Sequence, residues 1–337
     1  MRFVRFAGVA LALVLASGPA AAQTNTGTTL GSFLEIEPGA RVAAMGNAGV
    51  SASDGVHSLY YNPASAGRVR SSEVMFTHAA WIADIAYDYA AVAIPVGNWG
   101  TSFASVTSLN SGEIDVRTVN QPLGTGERYS VNDIAIALGF ARQISPRFSA
   151  GGQVNFVQET IWHSSAGMTT ISIGTLYRIS EKGLRIGSSL SNFGTRGQFN
   201  GRDLRFTYDA NTSSNGDNST LPATQFTDAF AVPVTFRVGL GLPVELSSDQ
   251  KLLFEADAFH PNDNSESVSL GGEYTLNDLF SLRAGWQNLF LKDSEVGGTA
   301  GLGLAGRVDT WRYRCDYAWA DQGRLGHTHR LTLGVVF

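Results

Sequence analysis

The sequence contains a single cysteine, Cys315, so it has no means of forming an intramolecular disulfide or a thiolate metal cluster. Charged residues are also scarce: they make up 16% of the 337 residues, against about 25% in soluble domains. The net charge of −5 gives no basic surface for nucleic acid. These shortages exclude a disulfide-stapled domain and a nucleic-acid partner, and they disfavour an ordinary soluble protein.

Long apolar runs are missing after residue 22. The first 22 residues have the pattern of a signal peptide: Arg2 and Arg5, a short apolar run over 7–15, and three alanines before Gln23. That run is too short to cross a bilayer as a helix. The mean hydropathy of the chain is nevertheless near zero. A chain that is this apolar but has no long apolar runs must place its apolar residues at alternate positions, between small or polar ones.

Alternation is what the chain shows from residue 73 onward. Ile134, Ile136, Leu138 and Phe140, for example, are separated by small or polar residues, which predicts a strand with one apolar face. The fold class predicted is all-β: a transmembrane antiparallel barrel of about 14 strands, each long enough to cross a tilted path through a membrane. The predicted strands are 73–80, 84–96, 98–108, 130–142, 147–158, 168–178, 184–192, 232–242, 250–260, 266–275, 280–287, 297–307, 310–320 and 328–337.

The connections and the chain end support a bacterial outer membrane. Short turns alternate with mostly longer links at 109–129, 159–167, 193–231, 288–296 and 321–327. This alternation of short and long connections puts the short turns at one end of the barrel. It predicts that both termini lie in the periplasm, with outer-membrane lipid around the barrel. The last strand alternates up to a terminal aromatic residue, Phe337, which resembles the insertion signal of outer-membrane barrels.

Charges fall on the polar face of neighbouring strands and are predicted to point into the lumen: Arg237, Glu255, Asp257, Glu273 and Arg283. Unpaired charges shielded from bulk water are costly. We therefore favour a ladder of ion pairs, or contacts that hold a plug, over a role in ion selectivity.

Residues 23–72 do not alternate as a spanning strand does. They contain glycine-broken stretches and an Asn62-Pro63 turn signal. Irregular backbone at membrane depth is tolerated only where protein or water shields it. The predicted organisation is therefore a signal peptide over 1–22, a plug segment over 23–72 and a barrel over 73–337.

Part of this segment, PGARVAAMGNAGVSASDGVHSLYYNPA over 38–64, resembles the N-terminal signature of PorV/PorQ-type outer-membrane proteins, relatives of the FadL-like transporters. The matching positions include Gly39, Arg41, Met45, Gly46, Asn62 and Pro63. Asn47 replaces a second glycine of the pattern, and its acidic stretch is reduced to Asp54. We expect the six matching residues to shape the plug, with Arg41 paired to a lumen acid and Asn62 capping a turn; the alternative is a gate on a ligand path.

The resemblance implies a 14-stranded barrel that closes around its N-terminal segment. It also implies one of two roles. PorV-type members work in type IX secretion, so the first hypothesis is binding or hand-over of a secreted protein cargo or secretion-system subunits. The alternative is FadL-like passive transport of a hydrophobic ligand.

The long link at 193–231 is polar but carries aromatic residues, which suits either a partner-binding surface or a self-packed lid. These residues are Phe199, Phe206, Tyr208, Phe226 and Phe230. His327 and His329 lack a third metal ligand, and no Ser-His-acid set stands out. We predict no enzyme activity, no metal and no cofactor.

Overall fold

A computed structural model describes residues 27–53, 55–180, 183–213, 220–291 and 294–337. The predicted signal peptide and Asp54 lie outside these ranges. Among the described residues, no helix is long and apolar enough to cross a membrane.

Fourteen antiparallel strands form a closed barrel, which confirms the predicted fold class. They are β1 (Glu73–Ala80), β2 (Ala86–Val96), β3 (Gly100–Asn110), β4 (Val131–Gln143), β5 (Phe148–Ile161), β6 (Ser164–Arg178), β7 (Arg185–Gly194), β8 (Thr235–Glu245), β9 (Gln250–Pro261), β10 (Ser267–Leu276), β11 (Phe280–Leu289), β12 (Gly298–Val308), β13 (Trp311–Asp321) and β14 (His327–Val336). The ring closes where β1 pairs with β14, from Glu73 opposite Val336 to Ala80 opposite His329. Closure leaves no unpaired sheet edge.

Short elements decorate the links. Two hairpins, Ile114–Asp115 with Arg128–Tyr129 and Arg205–Tyr208 with Leu221–Thr224, stand beyond the barrel. Asn200–Gly201 adds to the end of β6 outside the ring. One turn of α-helix, Ala40–Ala43, precedes the barrel, and short 3₁₀-helices lie at Ser32–Glu35, Gly55–Ser58, Pro63–Arg68, Ile82–Asp84, Arg202–Leu204 and Gly323–Leu325.

The apolar side of each strand faces outward. Leu138 on β4, Phe156 on β5 and Leu302 on β12 are each about half exposed, while their polar or small neighbours are turned into the ring. A surface of exposed leucine, isoleucine and phenylalanine all around a barrel is what lipid contact requires.

One predicted link is wrong. The connection expected over 159–167 is only Trp162 and His163, because β5 and β6 pair out to Ile161 opposite Ser164. Trp162 adopts a left-handed conformation with φ of 53°, which a two-residue hairpin requires. Polar residues at the ends of these long strands disguised their continuation.

The first described residues and the end of the chain lie at opposite ends of the barrel, and the side of the membrane on which each terminus lies stays a prediction. Leu30 N–H donates to Ala231 O, and Thr29 Oγ1 donates to Asp263, both in links at the long-loop end. Phe337 N–H donates to Ser72 O at the short-turn end. Between these two points, residues 30–53 and 55–70 run through the ring.

Candidate functional site: the N-terminal segment and the lumen

The segment over 39–50 packs directly on the inner wall of β10 to β13. Ala40, Val42, Ala44 and Met45 are fully buried. Gly46 has φ of +67°, and a Cβ there would lie 2.6 Å from the carbonyl oxygens of Leu270 and Trp286. Small residues are therefore required on both sides, since strand and segment meet backbone to backbone.

Hydrogen bonds fix this contact. Gly46 N–H donates to Thr299 Oγ1 at 2.9 Å, and the same hydroxyl donates to Ala44 O at 3.0 Å. Ala40 N–H donates to Thr332 Oγ1 at 3.0 Å. The wall supplies threonine hydroxyls to backbone groups that a helix of only one turn leaves unpaired.

Arg41 forms an ion pair with Glu273 on β10, with Nη2 to Oε1 at 2.7 Å. Arg283 on β11 bridges Glu273 to Asp316 on β13, where its Nη1 lies 2.7 Å from Oδ1. Arg314 pairs with Asp316 at 2.8 Å. The charges thus alternate in sign across three strands, which offsets the cost of removing each from water.

The predicted five-residue ladder is realised only at Glu273 and Arg283. Asp257 instead accepts backbone N–H groups from Gly49 and Val50 at 2.7 and 2.9 Å. Glu255 accepts the Ser51 hydroxyl at 3.3 Å. These two carboxylates therefore hold the N-terminal segment rather than a neighbouring arginine.

The Asn62-Pro63 turn joins the segment to the opposite wall. Asn62 Oδ1 accepts Ala64 N–H at 3.0 Å and caps the 3₁₀ turn that begins at Pro63. Its Nδ2 donates to Val50 O and to Thr175 O on β6, both at 2.9 Å. One side chain thus links two parts of the segment to the barrel.

A cavity of about 270 Å³ lies between this segment and the long-loop end. Its charged lining is Glu35, Glu37, Arg237 and Arg330, and its apolar lining includes Trp81 and Phe259. A second cavity of about 750 Å³ lies at the short-turn end, beside Ser53, Gly55 and His57. The two cavities share no lining residue.

Aromatic rings hold both arginines of the 270 Å³ cavity. Arg237 lies between Tyr60 and Phe259, with its guanidinium carbon 5.2 and 5.4 Å from the ring centres. Arg330 lies 4.9 Å over Trp81. Both arginines are at least 96% buried, and Nε and Nη1 of each lack a hydrogen-bond partner. Sequence reasoning missed Glu35, Glu37, Trp81, Phe259 and Arg330 as a group, although inward alternation between Thr328 and Thr332 marked Arg330.

The pKa of Glu35 is raised to about 7, first by burial and then by the nearby carboxylates Asp263 and Glu37, while Arg237 lowers it. Burial likewise raises the pKa of Glu37. The folded barrel therefore holds the Glu35 proton more tightly than the unfolded chain does.

We expect the free energy of unfolding to fall as the pH rises from about 4.5 to about 7, with Glu35 contributing at most about 1.4 kcal/mol per pH unit. Glu35→Gln should flatten that slope in urea titrations of the micelle-bound protein. Glu127→Gln, at an exposed position in a long loop, is the control. Equal slopes for wild type and Glu35→Gln would contradict the assignment.

A separate pocket of about 340 Å³ lies on the outer face of β8 to β10 and is almost wholly apolar. Phe236, Val238, Ala258 and Phe290 contribute to it. Phe259 and Ser267, which are opposite partners on β9 and β10, line both this pocket and the 270 Å³ cavity. The pair is the last one of the β9–β10 ladder, next to the link over 262–266 that joins the two strands.

The aromatic residues of the long loop are displayed rather than packed into a lid. Phe226 is 79% exposed, Phe206, Tyr208 and Phe230 are also exposed, and Phe199 is half-buried. His327 packs against Trp319 with the two rings tilted, and His329 contacts the Tyr317 hydroxyl, both on the outer face. Within the described ranges, no cluster of three His, Cys, Asp or Glu side chains is arranged to hold a metal.

No protein-family profile matches the chain. No curated protein matches it either. Solved structures do. The toluene transporter TodX of Pseudomonas putida has a TM-score of 0.55 at 14% identity, covering 89% of this chain and 98% of its own. The toluene transporter TbuX of Ralstonia pickettii scores 0.53 at 11% identity, with 89% and 98% covered.

The monoaromatic hydrocarbon channel CymD also scores 0.53 at 11% identity, over 89% of this chain and 97% of its own. At identities this low, the structural matches show a shared barrel architecture only. The matches cover nearly the full length of these transporters and channels.

Proposed function

We propose that this chain is an outer-membrane protein of the FadL-like type that lets small hydrophobic molecules cross passively. The observation that carries the proposal is the Phe259–Ser267 pair, which separates the lumen cavity from an apolar pocket on the membrane-facing side. The architecture shared with TodX, TbuX and CymD supports it over protein hand-over.

The membrane placement rests on the apolar exterior and the predicted signal peptide. In this proposal the short turns and Phe337 face the periplasm, and the long loops face outward. The N-terminal segment is the plug: it fills the ring between two cavities that share no lining residue, so an open water-filled pore is not expected.

The proposed route begins at the long-loop end and enters the 270 Å³ cavity, which a small ring-bearing molecule fits. It continues sideways past Phe259 and Ser267, where the ladder ends, into the 340 Å³ pocket and the lipid. A lateral exit suits an apolar solute, because leaving through water at the periplasmic mouth would forfeit the stabilisation that burial supplies.

Filling the outer pocket should block this route. Ala258 lines the pocket, whereas Ala256, the preceding outward residue of β9, does not. We expect Ala258→Trp to reduce toluene transfer at least fivefold across planar bilayers with a lipopolysaccharide outer leaflet. Ala256→Trp adds the same ring to the same lipid-facing surface and should leave transfer unchanged. Equal transfer by both variants would refute the lateral route, and no transfer by wild type would refute the function.

Protein binding is the second candidate, in the type IX-like role that the N-terminal signature implies. Its support is the exposure of Phe206, Tyr208 and Phe226 in one polar loop, since aromatic residues are enriched where proteins bind. A pull-down from native outer membranes tests it. Secreted proteins or secretion-system subunits captured by wild type, and lost in a Phe206→Ser/Phe226→Ser variant, would favour this role over transport.

A further inference from the structure

The cavity of about 750 Å³ at the short-turn end of the barrel has a lining whose charges are mostly positive. Besides His57, its charged side chains are four arginines and two carboxylates: Arg68, Arg307, Arg312, Arg314, Glu73 and Asp278. We name this cavity and its four arginines the basic mouth. The chain as a whole has a net charge of −5, so the basic mouth carries the opposite sign.

The two carboxylates of the basic mouth already have partners outside the four arginines. Glu73 Oε2 accepts Val56 N–H at 2.9 Å. Asp278 Oδ1 lies 2.6 Å from Lys251 Nζ. These contacts use the acidic groups of the lining to hold the N-terminal segment and the short turns.

Arg307 and Arg312 are directly opposite each other in the β12–β13 ladder, and both are exposed. Side chains in this position have Cβ atoms about 5 Å apart, and like charges there repel. Arg307 Nε donates to the backbone oxygen of Asp309 at 2.8 Å. Within the described ranges, neither arginine forms an ion pair. An anion between them would therefore be attracted by both and would relieve their repulsion.

We propose that the basic mouth docks an extended acidic segment of a partner protein, whose carboxylates pair with Arg307, Arg312 and Arg314. Arg312 and Arg314 lie two residues apart on the inward face of β13, which is about 7 Å along a strand. An extended segment repeats its side chains at that same spacing on one face, so acidic residues at alternate positions match the two arginines. Each guanidinium presents a planar fork of donors that fits a carboxylate.

The size and position of the cavity favour a chain segment over a single ion. Its volume of about 750 Å³ lies within the ~300–1,000 Å³ of pockets that enclose drug-sized molecules, so several side chains can enter together. In the orientation proposed for the barrel, the basic mouth faces the periplasm, and the partner is a periplasmic protein or domain. The inference goes beyond the proposed transport, whose lateral route uses none of the four arginines.

An anionic lipid headgroup fits this surface less well. Trp311, the residue before Arg312 on β13, stacks on Phe337 with ring centres 5.4 Å apart at the outer face. Because successive side chains of a strand point to opposite faces, Arg312 points to the inside of the ring. The arginines and the surrounding lipid therefore lie on opposite sides of the barrel wall.

Isothermal titration calorimetry of the full chain in non-ionic detergent micelles at low ionic strength tests the proposal. The probes are three hexapeptides with blocked ends: alternating Glu-Ser, alternating Gln-Ser, and three adjacent Glu followed by three Ser. We expect the alternating Glu-Ser peptide to bind about tenfold more tightly than the Gln-Ser peptide, because accessible ion pairs each contribute little. It should bind about threefold more tightly than the peptide of equal charge with adjacent glutamates, because only alternate carboxylates match the strand spacing.

Arg312→Gln should weaken binding of the alternating Glu-Ser peptide about fivefold, which corresponds to about 1 kcal/mol. Arg142→Gln is the matched control, since Arg142 is exposed on the outward face of β4 at the same end of the barrel. It removes the same charge and should leave binding unchanged. Arg307→Gln is a second variant in case Arg312→Gln lacks the heat-modifiable band of a folded barrel on gels.

Three results would overturn the inference: no saturable binding, an affinity for either comparison peptide equal to that for alternating Glu-Ser, or equal weakening by Arg142→Gln and Arg312→Gln. Binding of phosphatidylglycerol or inorganic phosphate as tight as that of the peptide, and lost in Arg312→Gln, would also overturn it and assign the basic mouth to a headgroup or a free anion. Toluene transfer is measured separately and should be unchanged in Arg312→Gln, so a failed peptide test leaves the transport proposal standing.

Discussion

Gly271→Ala is expected to release the N-terminal segment from the barrel wall and to lower the free energy of unfolding by about 3 kcal/mol. Gly271 faces inward on β10, where a Cβ would overlap the carbonyl oxygen of Met45. Neither backbone can retreat, because one belongs to a closed ring and the other is held by Thr299 and Asp257. Overpacking against backbone is costlier than against a flexible side chain.

The adjacent glycine is the control. A Cβ on Gly272 would point outward, with its nearest neighbour, Leu253 O, at 3.8 Å. Gly272→Ala should therefore leave stability within about 0.5 kcal/mol. Urea unfolding measures the free energy of unfolding of each variant. Trypsin measures release of the segment, because Arg41 is only 7% exposed in the wild type and becomes cleavable once the segment leaves the wall. Resistance to cleavage after Arg41 in Gly271→Ala would show that the close contact is not what holds the segment.

Glu273→Gln is expected to cost about 3–5 kcal/mol, because it leaves buried arginines without their shared partner. Glu273 lies between Arg41 and Arg283, and the change takes from both the carboxylate that they share, while Asp316 still pairs with Arg283 and Arg314. Both the wall and the segment lose an anchor, so trypsin should also cleave after Arg41.

Two comparisons make this prediction specific. Lys251 pairs with Asp278 at 2.6 Å at the exposed short-turn end, and Lys251→Gln should cost at most about 1 kcal/mol. Combining Arg41→Met with Glu273→Gln should cost less than the two single changes added together. The reason is that each single change leaves one buried charge without the partner it had, whereas the double change removes both charges of the pair. Strict additivity would mean that Arg41 and Glu273 do not act as a pair.

The spanning strands were predictable because their physics is local. Ile134 and Leu138 alternate with small residues whether or not their neighbours are known, and lipid on one side makes that alternation continuous. Nearly every predicted strand lies within a few residues of an observed one. The failure at Trp162 arose where polar residues continued a strand beyond the apolar band, so that the hydropathy pattern ended before the hydrogen bonds did.

The lumen was predictable only in part, because its contacts join residues far apart in the chain. An acid partner for Arg41 follows from the cost of a buried charge, but nothing in the sequence selects Glu273 over Glu255 or Asp257. The cavity around Arg237 and Arg330 depends on where Glu35, Glu37 and Trp81 come to lie. Those positions follow from the path of the segment through the ring, which has no periodicity to reveal it.

That path has a consequence for assembly. Residues 30–53 and 55–70 occupy the ring, and the seam of the ring is formed by β1 and β14, the first and last strands. Arg41 is buried against the wall in its ion pair with Glu273, so we expect the segment to be in place before the seam joins. The barrel then closes around its own N-terminal segment when β1 and β14 pair.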